Sequence, residues 1–168
     1  MPVTDVTHDL DARTITIVAD FAEPVERVFE VYADPRQLER VWGPPDYPAT
    51  VVDHELAPGG RVTYYMTGPE GEKFCGYWRV ETVDRPSGFT FLDGFADEDF
   101  TPSPDLPESH NAFAFTEHDG GTRATYVSTY ASAEALQQVL AMGVLEGASG
   151  AINQIDDLLA ARDWASHR

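Results

Sequence analysis

Between Arg13 and Phe21 the chain alternates: Ile15, Ile17, Ala19 and Phe21 fall on one side and Thr14, Thr16 and Asp20 on the other, the period of a strand with one buried face. Glu23-Pro24 then opens a helix, because proline is tolerated in a first turn, and Val25, Val28, Phe29 and Tyr32 recur at helical spacing up to Asp34-Pro35. A second short helix is expected over 35–41. Trp42-Gly43-Pro44-Pro45 breaks both helix and strand.

Strand character returns at Ala49–Leu56, and turn signals at Ala57-Pro58-Gly59-Gly60, Gly68-Pro69-Glu70-Gly71 and Asp84-Arg85-Pro86-Ser87-Gly88 separate Arg61–Thr67, Lys73–Val83 and Phe89–Phe95. In Lys73–Val83 the residues Phe74, Gly76, Trp78 and Val80 share a face, and in the next strand Phe89, Phe91 and Phe95 do. Residues 97–110 carry prolines and acids without a period, so they are expected to form a long exposed loop of the kind that borders binding sites. Asn111–Glu117 and Thr122–Tyr130 flank an Asp119-Gly120 reversal.

From Ser132, a fitting N-cap, a 3.6-residue apolar stripe through Leu136, Val139, Leu140, Val144, Ala151, Ile155 and Leu158 predicts one helix over most of Ala133–Arg162. Gly143, Gly147 and Gly150 each cost ~1 kcal/mol against alanine inside a helix. The helix therefore bends there, or something approaches closely enough to need the missing side chains. Residues 1–12 are expected to be an N-terminal tail and 13–163 a single α+β domain, with the last helix laid across the sheet.

Composition narrows the partners. A net charge of −18, with Lys73 the only lysine among eleven basic residues, argues against nucleic acid and anionic membranes. No apolar run approaches the ~20 residues that span a bilayer, and the N-terminus lacks a signal-type apolar region, so a cytoplasmic location and no membrane insertion are expected. The single cysteine, Cys75, allows no intrachain disulfide and reads as a buried inert thiol.

In order along the chain, Glu23-Pro24-Val25-Glu26-Arg27-Val28-Phe29, Asp34-Pro35-Arg36-Gln37-Leu38, Trp42-Gly43-Pro44, Pro58-Gly59-Gly60-Arg61, Gly68-Pro69-Glu70-Gly71, Gly76, Gly121-Thr122-Arg123 and Met142-Gly143-Val144-Leu145-Glu146-Gly147 form a recognisable series. The series resembles the START-like (SRPBCC, Bet v 1-like) superfamily. More narrowly it resembles the bacterial relatives of the C-terminal domain of the Hsp90 ATPase activator, over about residues 13–162. The resemblance implies a helix-grip fold: a curved antiparallel sheet of about seven strands around a long C-terminal helix, with an apolar cavity between them. Superfamily members bind lipids, hormones or polyketides, and some are cyclases or aromatases; fold does not settle which. Relatives commonly carry an aromatic residue after the Glu-Gly of the last helix, where this chain has Ala148. A small residue there enlarges the cavity or lets the helix pack closer.

The expected function is binding of a small hydrophobic or aromatic molecule. The alternatives are a cyclase- or aromatase-like enzyme and a chaperone cofactor acting through surface contacts. The candidate ligand-binding residues are Trp42, Tyr64, Phe74, Trp78, Phe91, Phe95, Phe113, Phe115 and Tyr126 on the sheet side, with Leu140, Val144, Glu146 and Ala148 from the helix. Each aromatic side chain could equally be filling the core, and Trp42 could cap a pocket mouth or anchor its loop. Glu146 or Tyr126 is the candidate proton-transfer group if the cavity is catalytic. The histidines lack metal-ligand spacing, and adjacent Asp53 and His54 would point to opposite faces of a strand; no metal, no cofactor and no catalytic motif is expected. A homodimer is compatible with these features.

Overall fold

The strands predicted from alternation form one antiparallel sheet in the computed structural model, which describes residues 2–160. The elements are β1 (Val3–Asp9), β2 (Thr14–Phe21), α1 (Val25–Ala33), α2 (Pro35–Val41), β3 (Ala49–His54), β4 (Arg61–Thr67), β5 (Lys73–Asp84), β6 (Gly88–Ala96), β7 (Ser109–His118), β8 (Gly121–Tyr130), α3 (Ala133–Ala141) and α4 (Val144–Ala160). The sheet order is β1-β2-β8-β7-β6-β5-β4-β3. Two short helices interrupt a meander, and a long final helical segment packs against the inner face, which is the helix-grip arrangement.

The sheet has eight strands rather than about seven, because the expected tail supplies β1. Val3 pairs with Ala19 and Val6 with Ile17 across a register shift, so apolar residues three apart both reach the core edge and no period-two signal survives. Asp9 closes the hairpin by accepting the backbone N–H groups of Asp11 and Ala12. The other edge, β3, is blunted by α2: the Glu39 carboxylate accepts the Val51 N–H, and Arg36 donates to the Val51 carbonyl. Those groups are therefore closed to another strand.

Asp34 caps α2 by accepting the Arg36 N–H, with Pro35 opening the first turn. Helix α1 turns Val28, Phe29, Val31 and Tyr32 inward. Phe29 and Tyr32 meet Phe89 and Phe115 at ring separations of 5.7 to 6.2 Å and close one end of the inner face completely. At the β7–β8 reversal Asp119 and Gly120 both have positive φ, as the two-residue Asp-Gly turn requires.

The final helical stretch covers the expected residues up to 160 but is divided. Ser132 caps α3 by accepting the Ala135 N–H, and the chain breaks after Met142, where Gly143 takes φ +84°. Of the two explanations for the glycines, a break applies at Gly143; at Gly150 an added Cβ would make an ordinary 3.6 Å contact with Pro45 and at Gly147 it would meet nothing, so close approach explains neither. The continuation expected past 160 lies outside the described residues. Among the described residues no helix is long and apolar enough to cross a membrane.

Candidate functional site

Register places the inward-facing side chains in rows across the sheet. The deepest, Phe89, Phe113, Tyr126 and Ile17, is buried under α1. The next holds Val80, Phe91, Asn111 and Ser128, and the one after it Val62, Trp78, Asp93, Ser109 and Tyr130. Toward the open end come Tyr64, Gly76 and Phe95. The inner face thus grades from wholly apolar to mixed.

The helical segment packs along β8, β2 and β1 and against α2. It leaves the sheet just after Tyr130, and α4 reaches the Trp42 loop, where Gln154 donates to the Gly43 carbonyl at 2.6 Å. Between those anchors Leu140, Val144, Leu145 and Ala148 pack against the core yet remain only partly buried. Across from them Trp42, Met66, Asp93 and Phe95 are also partly buried, whereas Phe91, Trp78 and Leu136 beneath are sealed. This pattern marks a seam of incomplete burial over a packed aromatic floor, the candidate cleft.

At its centre Asp93 accepts a hydrogen bond from the Tyr64 hydroxyl at 2.9 Å. Gly76 makes this contact possible: a Cβ there would stand 2.4 Å from the Tyr64 Cζ and Oη atoms, so only glycine lets the ring pass over β5 toward β6. Burial pushes the Asp93 carboxyl up to about 7, against the opposing effect of the Tyr64 hydrogen bond and with the Glu108 charge adding to the rise. Burial, followed by the nearby Asp93 charge, likewise raises Tyr64 well above the ordinary phenol range. Tyr130 is pushed up to about 12, first by burial and then by Asp93. The Trp42 and Trp78 indole N–H groups are buried without a formed hydrogen bond, Trp42 being turned toward the Tyr64 oxygen. Alongside, Asn111 donates to Ser109 and accepts from Ser128, a network that satisfies itself.

The structure sorts the sequence candidates. Trp42, Tyr64, Phe95, Leu140, Val144 and Ala148 are partly or wholly buried along the candidate cleft, while Trp78 and Phe91 are sealed in the aromatic floor, their rings 4.2 Å apart. Phe113, Phe115 and Tyr126 belong to the sealed end; Tyr126 shares a 2.9 Å hydrogen bond with Tyr32 and is closed to the cleft. Phe74 stays on the predicted face but beyond the core, half exposed and against Tyr47 at 5.8 Å, so it stands at the lip rather than on a wall. Glu146 is exposed, because position 146 falls on the outer side of the first turn of α4, and it does not reach the cleft.

The sequence reading passed over Asp93. It shares strand parity with Phe89, Phe91 and Phe95, and a carboxyl in an otherwise aromatic alternation is itself the signal. Cys75 lies on the outer face in an open depression with Lys73, Ala96, Asp97, Glu98 and Asp99, partly buried. Burial, followed by the Glu98 charge, pushes its thiol up, which lowers the thiolate fraction.

Comparison with known proteins agrees with this architecture. Residues 22–160 match the family model described as Activator of Hsp90 ATPase homolog 1-like protein. The crystal structure of protein Ms6760 from Mycobacterium smegmatis is 73% identical, with TM-score 0.89, over 95% of this chain and 98% of that one. A solution structure of a protein from Arthrobacter aurescens is 44% identical, with TM-score 0.90, over 94% of this chain and 92% of its own. DynU16, from the dynemicin biosynthetic locus, shares the fold at 16% identity and TM-score 0.60, over 85% of this chain and 47% of its own. A search of the curated proteins finds no match. With the helix-grip fold, the ordered motifs and a family model spanning most of its length, the chain belongs to the Activator of Hsp90 ATPase homolog 1-like family within the START-like superfamily.

Proposed function

We propose that the protein binds a small hydrophobic molecule with a polar head in the cleft between the open end of the inner face and the α3–α4 segment. The observation that carries this is the Asp93–Tyr64 pair: a hydrogen-bonded carboxyl and phenol held over a floor of aromatic rings, where burying them costs stability. A core serving packing alone gains by placing an apolar residue at position 93. The partly buried residues on both sides of that pair supply an apolar wall for the body of a ligand. These features favour binding in the cleft over a chaperone-cofactor role exercised through the surface.

A second reading is favoured by the same carboxyl. A group that titrates near neutrality beside a phenol can exchange a proton with a bound carbonyl compound, which is what a cyclase-like reaction needs. Asp93, not Glu146, is the residue that would move the proton.

Backbone-amide NMR titration with 2-(1-naphthyl)ethanol tests the binding reading. Shifts concentrated at Trp42, Asp93, Phe95, Val144 and Ala148 support it. No shifts up to the probe's solubility, or shifts confined to the outer-face depression around Cys75, overturn it.

A further inference from the structure

We infer that the ligand class is a lipophilic amine, bound as its ammonium ion with Asp93 as counter-ion; this rests on the cleft being a ligand site. The charge inventory comes first. On β4 to β8 the positions sharing the face of Asp93 carry no lysine or arginine, and neither does any residue from 133 to 160, the helical segment that packs on the sheet. A carboxylate or phosphate head would therefore meet Asp93 with no counter-charge within the enclosure.

Among the described residues Asp93 has no cationic partner. Its contacts are the Tyr64 hydroxyl, at 2.9 Å from Oδ1, and the backbone N–H of Gly94; no ion pair to it exists among the described residues. Buried carboxylates in folded proteins are paired, or else hold a proton at a cost in stability. Of the other titratable groups that bear on it, Glu108 contributes a negative charge, while Tyr64 and Tyr130 contribute no positive charge, so none of them takes the place of a cationic head. Glu108 is itself engaged by Tyr77 and Arg79 on the outer side of the sheet.

The surroundings suit an ammonium group in a second way. Trp78 stands opposite Asp93 in register, Phe91 lies two residues along the same face, and the Trp42 ring sits 4.8 Å from that of Trp78. Aromatic faces beside a carboxylate are the surroundings that attract organic cations. At longer range the net charge of −18 concentrates cations near the protein and repels anions.

Calorimetric titration with matched probes tests the inference: 2-(1-naphthyl)ethylamine, 2-(1-naphthyl)ethanol and 1-naphthylacetate share one apolar body and differ in head charge. At about pH 8 the amine is expected to bind at least about tenfold tighter than the alcohol, with the carboxylate weakest. In Asp93→Asn, checked for folding by its urea transition, that preference disappears. If the alcohol binds the wild-type protein as tightly as the amine, or the preference survives Asp93→Asn, the inference is overturned while the cleft remains a ligand site. If none of the probes binds, the cleft reading and the inference fall together.

Discussion

Replacing Asp93 by asparagine should make the protein more stable, and the gain should depend on pH in a defined direction. The carboxyl is raised from 3.8 to about 7 in the folded state. The folded protein therefore holds a proton that the unfolded chain gives up. Stability from this group is complete below the unfolded value, falls as pH rises between 3.8 and about 7, and is constant above that. Each unit is worth ~1.4 kcal/mol, so the penalty at alkaline pH is on the order of 4 kcal/mol, and roughly 2 to 4 kcal/mol once imperfect asparagine hydrogen bonding is allowed for. An amide of the same shape keeps an oxygen to accept from Tyr64 and has no charge to bury. Urea unfolding of both proteins at about pH 8.5 and about pH 4.5 measures the difference, with the many surface carboxylates cancelling between the pair. The expected result is a stabilised variant at the higher pH and a difference near zero or unfavourable at the lower. An equal increment at both, or a variant that is less stable at the higher pH, would refute the argument that Asp93 is a buried, unpaired acid.

Gly76→Ala should destabilise by about 2 kcal/mol and detach Tyr64 from Asp93, because the new methyl occupies the path of the phenol; a thermal melt and a rise in the Asp93 titration midpoint, as the carboxylate loses its donor, are the readouts. Gly143→Ala should cost about 1 kcal/mol in urea unfolding, since φ +84° strains any residue with a Cβ; an unchanged midpoint would mean that the α3–α4 break is not fixed by that conformation. Glu146→Gln should leave the affinity for 2-(1-naphthyl)ethanol unchanged by calorimetry, because the carboxylate is exposed; a several-fold change would place it in the cleft after all.

The strands, the short helices and the Asp-Gly reversal were legible because each depends on local periodicity or turn chemistry. Strand β1 was not, because the register shift between Val3 and Asp5 removes the alternation that marks a half-buried strand. The division of the last helix was visible as a cluster of glycines, but only the backbone tells that Gly143 breaks the helix while Gly147 and Gly150 continue it. For the cleft, residue type was a good guide to which face a side chain shares and a poor guide to depth. Phe113 and Phe74 read alike in the alternation, yet one is sealed beneath α1 and the other stands at the lip. Glu146 drew notice for its place beside glycines, whereas the acid that matters sits among phenylalanines. Its pairing with Tyr64 crosses two strands and depends on Gly76, a relation that no single stretch of sequence contains.

The most direct test of the central claim is native mass spectrometry of the protein purified from its own host, set against the denatured mass of the same sample. The account predicts a small-molecule mass excess that is lost on denaturation and lost or weakened in Asp93→Asn. A native mass equal to that of the bare chain, in protein whose cleft also gives no shifts with the naphthyl probes, would contradict it.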